Sequence, residues 1–170
     1  MQQLKGRIMK RYLAVIGLAL CGSGTMAREA SAGGQHCKSI NAQFSSNILL
    51  SGCTSPVGLC TAGTVDNGQL RGTFSFTALG LAPFAGMPGV EAPTTLSLSG
   101  AVVFNLGGGD TVTSSDVGIF DSALGLETEV HRINGGTGRY AGATGELFGS
   151  GFARPDGSGF DGELHGTVCY

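Results

Sequence analysis

A chain of 170 residues with 31 glycines, 41% hydrophobic and only 13% charged residues fits one compact, turn-rich all-β unit whose core rests on Phe, Leu, Val and Ile, since Trp is absent. The formal charge of −2 is unevenly spread: residues 1–32 hold Lys5, Arg7, Lys10, Arg11 and Arg28 against Glu29 alone, so the remainder carries −6. Neither counter-ion release nor Coulomb steering draws an acidic domain to nucleic acid or to an anionic membrane surface, and both are excluded as partners.

Residues 1–12 are basic, Leu13 to Leu20 form a short apolar run, and small residues follow, with Ala30-Ser31-Ala32 fitting a cleavage pattern and Thr25-Met26-Ala27 a rival one. Basic, then apolar, then small is the order of a secretory signal peptide, here 1–32, which predicts a secreted or periplasmic domain over 33–170. The apolar run is too short to cross a bilayer as a helix, so no stable membrane insertion is expected. Cys21 follows Leu20 rather than a small residue, which argues against lipidation.

Beyond that segment four cysteines remain, Cys37, Cys53, Cys60 and Cys169, with three conceivable pairings. A Cys53–Cys60 bridge would staple the short loop between them. Cys37 opens the first strand and Cys169 closes the last, ends that meet where an even-stranded barrel shuts, so a Cys37–Cys169 bridge is expected there. No pair has C-x-x-C spacing and the histidines are scattered, so neither a metal nor a cofactor is expected.

From residue 33 onward apolar residues recur with period two. Ile40, Ala42, Phe44, Ile48 and Leu50 alternate with polar neighbours, as do Leu70, Phe74, Phe76 and Ala78, then Leu96, Leu98, Val102 and Phe104, and finally Phe160, Leu164 and Val168. Such alternation marks strands with one buried and one wet face. Asp66-Asn67-Gly68, Gly107-Gly108-Gly109-Asp110 and Asp156-Gly157-Ser158-Gly159 supply hairpin turns. The spacing predicts strands at 38–50, 61–65, 68–79, 94–105, 111–120, 126–134, 146–154 and 160–169. Eight strands favour a closed antiparallel barrel, with an open sandwich as the alternative. The segment 80–93, rich in proline, is long enough for a lid over a barrel mouth.

Gly135, Gly136, Gly138, Gly142 and Gly145 crowd around Tyr140 between the sixth and seventh strands. Glycines at this density permit tight reversals that a Cβ forbids. Tyr140 can then fold back and plug the end of the barrel. This stretch, INGGTGRYAGATGELFGSG, resembles the glycine-rich turn of the allene oxide cyclase and dirigent-like barrel superfamily over roughly twenty residues. The resemblance implies a closed, eight-stranded, calycin- or lipocalin-like barrel with an apolar interior. It imports no activity, because one fold hosts many functions.

Phe44, Phe74, Phe76, Phe104 and Phe148 are expected to line an interior holding a small apolar molecule. The alternatives are a cyclase- or dirigent-style enzyme that steers a reactive intermediate by confinement, and a structural protein with a filled barrel. Glu127, Glu129 and His131 share one strand face, and Asp161, Glu163 and His165 another. Carboxylates beside an imidazole suit acid–base or metal chemistry, but both sets sit opposite apolar residues and are expected to face water. Asp116 lies on a strand whose inward phase is ambiguous. Solvated exposure is the expectation; turned inward, it would be a buried acid with a raised pKa, and it is the one weak catalytic candidate. The superfamily's interior glutamate has no secure counterpart here. Gly136 to Ala141 fits a dinucleotide-binding spacing, but no helix follows, so that match is accidental.

Overall fold

A computed structural model describes residues 36–86, 88 and 91–170. The expected signal peptide and its cleavage sites lie outside the described residues, as does Met87 of the proposed lid. Eight strands follow one another: β1 (Cys37–Ile48), β2 (Cys60–Val65), β3 (Gly72–Pro83), β4 (Thr95–Leu106), β5 (Thr111–Asp121), β6 (Leu126–Thr137), β7 (Thr144–Ala153) and β8 (Gly159–Cys169). Each pairs antiparallel with the next, and β8 returns to β1, closing the barrel. Short 3₁₀ turns at Gly68–Leu70, Gly107–Gly109 and Gly138–Tyr140 are the helical elements of the described residues.

Alternation places the core where period-two patterning predicts it. Ile40, Ala42, Phe76, Phe104, Leu164 and Val168 all point inward and are buried. Leu50 does not: β1 ends at Ile48, and Leu50, in the following loop, is 97% exposed. Strand β3 continues through Pro83 by way of a bulge between Ala78 and Gly80, so ladder hydrogen bonds claim the first residues of the expected lid. Of the described residues in that region, Leu81 and Leu96 on the strands line the cavity, and none between 84 and 94 does.

Closure is secured at both ends of the β1–β8 seam. Cys37 and Cys169 stand opposite each other in the ladder and are bonded. At the other end Arg154 donates to both Asp161 carboxylate oxygens on β8 and to Asn47, Ser45 and the Ser46 carbonyl on β1. Cys53–Cys60 holds the β1–β2 loop at this same end. There Ser55 donates to the Ala78 carbonyl at 2.6 Å and Leu59 is carried to the barrel mouth.

The opposite end is shut by the glycine-rich corner. Strand β6 runs on to Thr137, past its expected end. Gly138 then turns with φ of +60°, its α-carbon lying against the Asp110 side chain where a Cβ would collide. The reversal drives Tyr140 inward to full burial. Its hydroxyl donates to the Gln69 carbonyl at 3.2 Å, its ring lies 4.5 Å from that of Tyr170, and Arg139 caps it while pairing with Asp110.

Two outcomes follow. Replacing Cys37 and Cys169 by serine should lower the unfolding free energy by about 3–5 kcal/mol in denaturant titrations, because the long loop is released in the unfolded chain; a loss below about 1 kcal/mol would show that the ladder alone secures the seam. Tyr140→Ala should cost about 3–5 kcal/mol through the cavity it leaves, whereas Tyr140→Phe should cost only about 1 kcal/mol for the lost hydroxyl contact.

Candidate functional site

The barrel interior is not filled. A cavity of ≈ 320 Å³ opens at the end opposite Tyr140, at the lower edge of the roughly 300–1,000 Å³ of ligand pockets. One side is aromatic: Phe44, Phe74 and Phe104 form a chain with ring centroids 6.0 and 6.1 Å apart, and Phe76 lies beside them. Phe120 and Phe160 meet edge to face at 5.8 Å and line the cavity too. Phe148 departs from expectation. It stands on the outer face of β7 and is 56% exposed, because the inward phase of that strand is Gly145, Leu147, Gly149 and Gly151.

The other side is polar. Glu127, Glu129 and His131 of β6 line the cavity, contrary to the expectation that they face water. It is Leu126 and Val130 that point outward, each 39% exposed. Asp116 is also inward and 2% exposed, again reversing the expected solvated position; it stands directly opposite His131 in the β5–β6 ladder. By contrast Asp161, Glu163 and His165 remain on the outer face as expected, Asp161 held by Arg154 and His165 by Glu163.

Neighbouring glycines explain how long polar side chains fit inside a small barrel. Glu129 is flanked in the ladders by Gly118 and Gly149, Glu127 by Gly151, and Asp116 by Gly100. A Cβ at Gly118 would lie 2.8 Å from Glu129 Cγ, one at Gly151 3.0 Å from Glu127 Oε1, and one at Gly100 2.8 Å from Asp116 Oδ1. A bulge positions the two strands that carry the cluster. Asn134 is the extra residue on β6, accepting from Thr113 Oγ1 and donating to Ser115 Oγ, both at 2.9 Å.

The polar groups are poorly satisfied. His131 Nε2 approaches Glu129 Oε2 to 3.3 Å, without hydrogen-bond geometry. Both Asp116 oxygens, both His131 nitrogens and Ser114 Oγ are buried without a hydrogen-bond partner among the described residues. Burial, reinforced by the Glu129 charge, pushes the Asp116 carboxyl up to about 7, with His131 pulling the other way. Burial together with the Glu129 and Asp116 charges pushes Glu127 up to about 8.

The sequence holds only a partial trace of the cluster, because it does not show which strands face each other. Ile133 shares its phase with His131, Glu129 and Glu127, and Gly149 and Gly151 on the next strand leave room opposite them. No family model, curated protein or solved structure matches the chain.

These shifts carry a sign. Asp116 and Glu127 hold protons more tightly folded than unfolded, so the native state binds more protons between about pH 4 and pH 8, and stability falls as pH rises through that window. The slope is about 1.4 kcal/mol per pH unit for each group that titrates differentially. Urea titrations should therefore show the barrel less stable near pH 8 than near pH 5, and Glu127→Gln should flatten the dependence above about pH 5. Stability that rises with pH across the window in both proteins would contradict this assignment.

Proposed function

We propose that this barrel is an exported binding protein for a small, mostly apolar molecule that carries one hydrogen-bonding end. The observation that carries the reading is the open cavity with a phenylalanine wall on one side and Glu127, Glu129 and His131 on the other. Apolar surface supplies the driving force for entry, and a few convergent polar groups fix orientation. Glu127, held protonated at neutral pH by its surroundings, donates to a carbonyl or hydroxyl oxygen at the buried end of the ligand. Export is supported by the basic–apolar–small N-terminus and by two disulfides, which persist in oxidising compartments.

A second reading has its own support. An enzyme that steers a reactive intermediate by confinement needs an ionisable group inside the barrel, and the cavity wall carries two carboxyls and an imidazole. The corner's resemblance to allene oxide cyclase and dirigent-like barrels points the same way. In this reading Glu127 is the acid and the aromatic wall holds the intermediate's conformation.

The chain contains no Trp, so Leu96→Trp at the cavity mouth provides a single reporter. Its emission should change saturably on addition of apolar dyes or medium-chain fatty acids. Val102→Phe, which fills the middle of the cavity, should weaken that binding at least about tenfold, a loss of roughly 1.4 kcal/mol. Absence of saturable uptake by the reporter protein would defeat the binding reading, and Val102→Phe without effect would move the ligand out of the barrel.

A further inference from the structure

We propose that Asp116, Glu129 and His131 form a binding site for one divalent transition-metal ion, zinc or a first-row neighbour, set into the cavity wall. One donor atom from each residue lies within 4.8 Å of the other two. Ligand atoms on a tetrahedral zinc with bonds of about 2.0–2.2 Å stand about 3.4 Å apart. The His131–Glu129 approach of 3.3 Å already matches that spacing, and the 4.8 Å bound keeps the Asp116 oxygen within reach of a side-chain adjustment.

The burial of these donors is the second ground. Asp116 and His131 are 2% and 4% exposed, and neither the Asp116 oxygens nor the His131 nitrogens have a hydrogen-bond partner among the described residues. Buried polar atoms are almost always paired, and an unpaired carboxylate in an apolar interior is strongly unfavourable. Among the described residues no lysine or arginine pairs with Asp116 or Glu129. Arg132, adjacent to His131, points outward and pairs with Glu146 at 3.0 Å. Metal ligation takes carboxyl groups as carboxylates and imidazole in its neutral form, so the ligand set as bound carries a charge that a dication balances.

Space and chemistry agree with this. Gly100, Gly118 and Gly149, on β4, β5 and β7, vacate the volume around the three side chains; a Cβ at Gly149 would stand 3.2 Å from His131 Nε2. One imidazole with two carboxylates suits zinc, cobalt or manganese better than calcium or magnesium, which prefer an all-oxygen shell. Glu129 and His131 line the cavity, so an ion held by them and Asp116 would border the cavity space. An oxygen-bearing end of a cavity ligand would then meet the metal directly. This goes beyond the apolar-ligand reading and is separable from it.

The test is a titration of the purified, oxidised, chelator-treated protein with Co²⁺, followed by visible absorption, with Zn²⁺ as competitor. The expected result is uptake of one equivalent, displaced by zinc. Asp116→Asn and His131→Ala should each weaken uptake by more than about 100-fold, beyond the loss that an outer-shell partner gives. His165→Ala, on the outer face, should leave it unchanged. No stoichiometric uptake by the wild-type protein overturns the proposal without reference to any variant. So does uptake that survives in both interior variants or disappears in His165→Ala. Dye binding measured on the metal-free protein stays independent: a barrel that takes up dye but no metal refutes only the metal site.

Discussion

Everything in this molecule depends on the seam where β8 returns to β1. Along it a full ladder runs from Cys37 opposite Cys169 to Asn47 opposite Gly159. The disulfide locks one end and the Arg154 fork the other. An unclosed sheet would leave two edges with unpaired amides and carbonyls, and its apolar face would have only solvent to meet. Once the seam shuts, most inward side chains are removed from water and must find their partners within the same small volume.

That confinement makes a polar cluster consequential. In an open sheet Glu127, Glu129 and His131 would be three hydrated groups on a strand. In the closed barrel they share an interior with Asp116, and the carboxyls of Asp116 and Glu127 are pushed up because burial leaves their charged forms poorly solvated. The glycines of β4, β5 and β7 are the complement to this arrangement. They give up side chains where the cluster needs room, while the phenylalanines of β1, β3 and β4 hold the other wall apart and leave the cavity between. An interior that is apolar on one side and acidic on the other suits a ligand with two chemically different ends.

The two ends of the barrel are built differently. Tyr140, Leu70 and Val168 are fully buried at the end closed by the glycine-rich corner, and Gln69 ties both tyrosines together through its backbone and side chain. At the mouth, Leu59, Leu81 and Leu96 rim the cavity, and the Cys53–Cys60 bridge holds the loop that delivers Leu59. Among the described residues the apolar rim therefore lies between the open end and the acids.

Strand count, the two disulfides, the plug at Tyr140 and the four phenylalanines of β1, β3 and β4 were all legible in the residues, because each is a local pattern: period-two alternation, turn glycines, cysteines at strand ends. The polar wall was not. Period two says that a strand has two different faces, but in β5 and β6 both faces mix apolar and polar residues. Val117 and Val130 compete with Asp116 and His131, and Phe148 competes with Gly149, for the inward place. Which face turns in is decided by what neighbouring strands offer across the ladder, here glycine beside each acid and a bulge at Asn134 that sets the phase. Complementary volume between strands distant in the chain is a property of closure, and only the tertiary structure contains it.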